Sequence, residues 1–325
     1  MGVIARWRDR LPVTGATPEL SLGEGGTPLV RSERLSARLG VELWFKLEGT
    51  NPTGSFKDRG MVVAVAKALE EGAQGIVCAS TGNTAASAAA YAARAGVPAV
   101  VLTPAGAIAA PKQAQARAVG ARVLEVRGTF DEALRSCQEL AGRGLFALVN
   151  SLNPHRIEGQ KTAAFELVEE LGRAPDVVAL PYGGGGNLTA YAKGFAEEGA
   201  ATRLVGGQAS ERAHTVASAI RIAEPAHAAA VEALAAAGRV ELVAVSDSEI
   251  TDAWLEVSSR EGVFCEPSSA AGLAALAHVA LEPGSTVVCV LTGHGLKDTA
   301  AVEVLTPGAT LVEPTVEAIL AQVQP

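Results

Sequence analysis

The chain has 325 residues, 48% of them hydrophobic, a mean hydropathy of +0.23 and a formal net charge of −8. That much apolar material excludes a disordered chain, and the length exceeds one small core, so two domains are expected. No basic tract for nucleic acid stands out, and no apolar run is long and polar-free enough to span a bilayer.

The stretch 1–9 is charged and lacks the apolar region of a signal peptide, which makes the cytoplasm the expected compartment. A strand is expected at 41–47, then a helix at 58–71, a strand at 75–79 and an alanine-rich helix at 83–94. The alternation continues with strand 99–102, helix 111–119, strand 122–126, helix 131–141, strand 146–150 and helix 160–171. It ends with strand 177–180, helix 187–198, strand 203–208, an alanine-rich helix at 226–237, strand 240–245, helices 247–260 and 269–279, and strand 286–291. Strands alternating with helices predict an α/β fold of parallel twisted sheets with helices on both faces. Cys78, Cys137, Cys265 and Cys289 are scattered, with no CxxC pair, and read as reduced core residues. No metal site is expected.

In such a fold ligands sit beyond the carboxyl ends of the strands. The segments there are rich in Gly, Ser, Thr and Asn: 51–59, 80–84, 151–156, 182–187 and 292–298. In the first, NPTGSFKDRG from Asn51 to Gly60, Lys57 stands beside Phe56 at the start of a helical run. The macrodipole disfavours positive charge there, so the amine is a candidate for Schiff-base chemistry. The competing reading is a solvated lysine. Ser80, Thr81, Gly82, Asn83 and Thr84 offer hydroxyls, an amide and free helix N–H groups at one point, suited to a carboxylate or a ring hydroxyl; simple N-capping is the alternative. Between Asn150 and Arg156 the chain joins a hydroxyl, amides and a guanidinium, a combination that favours a planar or phosphate anion. His155 in that stretch is taken as structural. Gly183, Gly184, Gly185, Gly186 and Asn187 follow an apolar run and precede a helix, so consecutive backbone N–H groups can converge on a phosphate. The loop lacks the ending of a P-loop and the spacing of a dinucleotide fingerprint, so a small phosphorylated cofactor fits it better than ATP or NAD. Thr292 follows the last strand and could present its hydroxyl to a ligand; a plain glycine turn is the alternative.

Together, segments 24–29, 51–60, 80–87, 150–160, 219–222, 264–268 and 291–298 resemble, in order, the threonine synthases, which belong to the fold type II, tryptophan-synthase-β-like pyridoxal-phosphate enzymes. The resemblance implies a two-domain enzyme that holds pyridoxal 5'-phosphate as a Schiff base on Lys57, with Phe56 beside it. Asn83 would contact the ring hydroxyl, Gly183 to Asn187 the cofactor phosphate, and Thr292 the ring nitrogen. Ser80, Thr81 and Thr84 would bind the substrate's carboxylate and phosphate end, and Asn150, Ser151 and Arg156 its phosphate. The implied reaction turns O-phospho-L-homoserine and water into L-threonine and phosphate by γ-elimination and β-addition of water, the last step of threonine biosynthesis.

Three features depart from the family pattern: the tetraglycine loop, closer to that of serine/threonine dehydratases; a short stretch after Gln208; and Ala223-Glu-Pro225 where Gly-Asn-Pro is usual. A serine/threonine dehydratase is therefore the alternative, although it would not need the second anion site at 150–156. A non-catalytic carrier would have lost Lys57 or the glycine loop. The resemblance further implies a large cofactor-binding domain of 1–50 and 148–325, a small mobile domain of 51–147, and a homodimer.

Overall fold

The computed structural model describes residues 1–106 and 110–323. Its strands are β1 (Leu29–Arg31), β2 (Glu42–Leu47), β3 (Gly75–Ala79), β4 (Ala99–Pro104), β5 (Arg122–Val126), β6 (Phe146–Leu148), β7 (Val177–Pro181), β8 (Arg203–Ala209), β9 (Val240–Val245) and β10 (Thr286–Leu291). Its helices are α1 (Val3–Arg6), α2 (Glu33–Leu39), α3 (Lys57–Glu70), α4 (Asn83–Ala95), α5 (Ala110–Ala118), α6 (Phe130–Gly142), α7 (Pro154–Leu171), α8 (Gly186–Glu197), α9 (Ala228–Ala236), α10 (Asp247–Glu261), α11 (Ala271–Leu276), α12 (Thr299–Leu305) and α13 (Val316–Val323). The α/β class expected from the alternation is the class observed.

The strands form two sheets. One has six strands in the order β1-β2-β10-β7-β8-β9, and the other has four in the order β5-β4-β3-β6. All pairings are parallel except β1 with β2. The central strands are buried end to end, as the runs Val177–Pro181 and Thr286–Leu291 require. Alternate residues serve opposite cores. Val177, Ala179, Val287, Cys289 and Leu291 pack on one face with Trp254 of α10 and α11, whereas Val178, Leu180, Val288 and Val290 pack on the other with α7 and α8. In the smaller sheet Ile76 and Cys78 face α3 and α4, and Val77 and Ala79 face α6.

At the amino end Val3, Ile4, Leu11 and Leu20 pack with α3, α4 and the four-stranded sheet, while the Trp7 ring lies 5.2 Å from that of Phe165 on α7, so this stretch touches both units. Four expectations about elements need adjustment. β1 and α2 were not anticipated, although Ser32 caps α2 by accepting from the Leu35 N–H at 3.2 Å and Gly40 closes it with a left-handed φ of 69°. The strand expected at 146–150 ends at Leu148, where the Asn150 side chain takes over its pairing with β3. α7 begins at Pro154 rather than 160, with Asn153 as its cap and Pro at the first turn. The helix expected at 269–279 is a short 3-10 turn, Pro267–Ala270, followed by α11.

α3 and α7 cross closely. A Cβ on Gly60 would strike the Arg156 carbonyl, and one on Gly159 would strike the Arg59 carbonyl. Arg59 then lies between Glu48 and Glu166, with N–O distances of 2.8 and 2.6 Å, and Lys46 joins Glu166 at 3.2 Å. All four side chains are buried.

Candidate active site

The carboxyl ends of β3, β7 and β10 bring the expected segments together. After β10 the chain pairs with residues 54–56: Phe56 N–H donates to the Thr292 carbonyl at 3.0 Å, and His294 N–H to the Gly54 carbonyl at 2.9 Å. This clamp sets Lys57 at the first position of α3. Asp58 secures the turn by accepting from the Thr53 N–H at 2.7 Å and from the hydroxyls of Thr53 and Ser87, each at 2.6 Å.

Lys57 is half-buried, and its ammonium lies 4.3 Å from the centre of the Phe56 ring. Among the described residues its amine forms no hydrogen bond and no ion pair. Burial, then Arg156, depress its pKa from 10.5 to about 7; Glu266 opposes them, and Lys112 adds to the depression. The sequence pointed to the helix terminus as the cause of such a shift, but desolvation is the largest contribution.

Asn83 opens α4, whose cap is Gly82 without any side-chain bond, so neither Asn83 nor Thr84 is spent on capping. Asn83 Nδ2 donates to Glu266, while its buried Oδ1 has no partner. Ser80 Oγ accepts from the Gly82 N–H at 3.1 Å, shaping the turn, and Ser80 and Thr81 remain half-buried.

After β7 the glycine loop leads into α8. Among the described residues the N–H groups of Gly183, Gly184, Gly185 and Gly186 have no partner, and Asn187 Nδ2 is buried and unpaired. Gly185 takes a φ of +86°, a left-handed conformation that turns the loop onto the helix. The Gly184 carbonyl is held by the His227 N–H at 3.0 Å. Opposite, the His227 ring meets the Ser151 carbonyl at 2.9 Å, which joins the glycine loop to the stretch 150–156. Thr292 is buried, and its hydroxyl lies 3.1 Å from that of Ser269.

Arg156 lies in the first turn of α7, 1% exposed. One guanidinium nitrogen donates to the Val149 carbonyl at 2.8 Å, while Nε and Nη2 are buried without partners. Burial lowers its pKa to about 10, so it stays charged at neutral pH. Asn150 is placed differently from expectation: its Oδ1 accepts from the Ala79 N–H at 3.0 Å and its Nδ2 donates to the Ala79 carbonyl at 2.8 Å. Both polar atoms are committed to the end of β3 rather than aimed at a ligand.

Sequence reasoning assigned no role to Glu266 or Lys112. Glu266 is 1% exposed and lies 3.4 Å from the Lys112 ammonium. The surface cleft of about 550 Å³ lined by Ala196, Thr202 and Arg239 contains none of the residues described above.

The residues present fit a phosphorylated pyridine aldehyde: a depressed lysine amine, an N–H cradle for its phosphate, and unpaired buried polar atoms on Asn83 and Asn187. The comparisons with known proteins agree. The family described as "Pyridoxal-phosphate dependent enzyme" matches residues 20–293. A threonine synthase of Halalkalibacterium halodurans is 51% identical, covering 91% of this chain and 90% of its own. One of Mycobacterium tuberculosis is 49% identical, over 91% of this chain and 89% of its own. Among solved structures, processed threonine deaminase isoform 2 of Solanum lycopersicum superposes with a TM-score of 0.74 at 26% identity, covering 86% of this chain and 82% of its own. The tetraglycine loop thus sits in a chain whose overall likeness is to the synthases, and the chain belongs to the pyridoxal-phosphate-dependent enzymes, within the threonine synthase family.

Proposed function

We propose that this chain converts O-phospho-L-homoserine and water to L-threonine and phosphate, using pyridoxal phosphate on Lys57. The observation that carries this reading is two sets of unpaired N–H donors, each suited to an anion, beside one depressed lysine. The glycine N–H groups supply the first, and the unpaired Nε and Nη2 of buried Arg156 supply the second. A dehydratase acting on threonine has one phosphate to bind, on its cofactor, whereas a phosphorylated substrate brings another.

Bound pyridoxal phosphate supplies an electron sink for the negative charge that develops on the substrate's carbons. Lys57 Nζ, a free amine in a large fraction of molecules near neutral pH, takes and returns protons at those carbons. Asn83 and Thr292 orient the ring, through its hydroxyl and its nitrogen respectively, and Phe56 closes the lysine side. Gly183, Gly184, Gly185, Gly186 and Asn187 fix the cofactor phosphate. Ser80, Thr81 and Thr84 receive the substrate carboxylate at the start of α4. Arg156, with Ser151 beside it, stabilises the phosphate as it leaves, because a buried guanidinium acts most strongly where charge builds. Asn150 serves that contact indirectly, by holding the end of β3 to the segment that carries Ser151.

In this reading the part built on the four-stranded sheet, about 51–147, closes on the remainder to exclude water. In this reading the protein is a cytoplasmic homodimer, and the exposed Leu311, Val316, Ile319 and Leu320 offer apolar surface to a second copy.

The test is a pair of incubations, one with O-phosphohomoserine and one with threonine, following phosphate, threonine and 2-oxobutyrate. Threonine and phosphate should appear in equal amounts from the first, far faster than 2-oxobutyrate from the second. The reverse order of rates would make the chain a dehydratase.

A further inference from the structure

Glu266 sits between α10 and α11, in the segment 264–268, and nothing derived so far requires its charge. Its backbone N–H donates to the Gly293 carbonyl at 2.9 Å, which pins it under the turn after β10. A Cβ on Gly293 would run into its carboxylate, so that turn is shaped around it. A carboxylate so completely buried is costly unless paired. Its two partners come from separate elements. Asn83 Nδ2, on α4, lies 3.1 and 3.4 Å from its two oxygens, and the Lys112 ammonium, on α5, lies 3.4 Å from Oε2.

The chemistry of the pair decides how Asn83 is turned. An ionised carboxylate only accepts hydrogen bonds, whereas an amide has one donor end and one acceptor end. Glu266 therefore takes the nitrogen of Asn83, and the oxygen must point away. That oxygen is buried and unpaired, which an amide serving packing alone would avoid.

We propose that Glu266 is a positioning residue: it fixes which atom of Asn83 faces the cofactor ring, and through Lys112 it ties α5 to that same contact. The proposal rests on the reading of this cleft as the cofactor site. Around Glu266 the charged groups are Lys112 from α5, Lys57 from α3 and Lys297 from the turn after β10. Both Lys57 and Lys297 feel its charge as a stabilising one. Removing its charge and removing that of Lys112 must therefore move a nearby cation's titration in opposite directions.

The experiment uses the full-length holoenzyme in wild-type, Glu266→Gln, Lys112→Met, Asn83→Ala and Asn83→Ala/Glu266→Gln forms. Three quantities are measured: the pH midpoint of the cofactor's visible absorbance band, the cofactor dissociation constant, and kcat and KM. In Glu266→Gln the amide of Asn83 is free to turn, and the protonated lysine–cofactor link loses its anion. The midpoint should fall by about one pH unit, and cofactor binding should weaken about tenfold, the scale of a lost charge-assisted hydrogen bond. The fall in activity should lie in kcat rather than KM. Lys112→Met should move the midpoint up instead. On the Asn83→Ala background, Glu266→Gln should cost little further cofactor affinity.

Midpoints that move the same way in both single variants, or a full tenfold loss persisting without Asn83, would overturn the proposal. So would a Glu266→Gln protein that binds and titrates as wild type does. A wild-type protein with no Lys57-dependent band would instead sink the cofactor reading itself, so the two failures are distinguishable.

Discussion

At the scale of single residues, Lys57 is a half-buried amine whose pKa is drawn down chiefly by desolvation. A pKa near 7 means that its amine is available as a nucleophile at neutral pH, where a surface lysine is almost wholly protonated. In cofactor-free protein, amine-selective labelling of Lys57 followed across pH should show a midpoint near 7, with surface lysines above 10. A Lys57 midpoint above about 9 would remove the desolvation argument. The same shift bears on stability. Because the folded value lies below the unfolded one, the contribution is fully present only above about 10.5 and is lost as the pH falls toward 7. Lys57, Asn83, Thr292 and the glycine loop could be named as candidates from the sequence because each belongs to a short string with its own local chemistry. Glu266 was not: its meeting with Asn83 spans 183 positions, and only the folded sheets bring the two together. The bonds of Asn150 to the Ala79 backbone were out of reach for the same reason, since the two are distant in sequence.

At the scale of elements, the loop 183–187 and the start of α7 repay comparison. Both place unpaired N–H groups at a helix N-terminus, where the macrodipole favours negative charge. The first was placed at a helix start from its glycines. The second was named from its residues but set ahead of a helix expected only from 160, although Asn153 followed by Pro154 is itself a helix-start signal. β1 escaped because three residues after Pro28 give no periodicity to read. Within the loop Gly185 is the least replaceable position. Its φ of +86° costs a non-glycine residue about 1–2 kcal/mol, and an added Cβ would lie 3.0 Å from that of His227. Gly185→Ala should weaken cofactor binding by roughly tenfold or more, corresponding to at least about 1.4 kcal/mol, as read by fluorescence titration. Unchanged affinity would mean that the loop does not hold the phosphate.

At the scale of the whole molecule, the Arg59 network sets the acid limit. Burial pushes the Glu166 carboxyl up, but Arg59 and Lys46, with the Gly26 N–H, outweigh burial and hold it at about 2. Its folded value is depressed, so its contribution is present above the ordinary value of 4.5 and disappears as the pH falls from there toward 2. Arg59→Met leaves Glu48 buried without its cation and Glu166 with Lys46 as its nearest one, and should cost about 3–5 kcal/mol in urea unfolding at neutral pH. A loss under about 1 kcal/mol would show that the cluster relaxes or admits water. The expected α/β class was correct because buried parallel strands announce themselves as apolar runs. The packing of Val3, Ile4, Leu11 and Leu20 against the smaller sheet was invisible, since nothing in a short apolar stretch names the sheet it will reach. The glycine crossing of α3 over α7 has a further consequence. α3 belongs to the core of the smaller sheet and α7 to that of the larger, and at Gly60 and Gly159 they touch backbone to backbone. Neither core can melt without stripping a face from the other, so the chain should lose its structure in a single cooperative transition rather than in two stages.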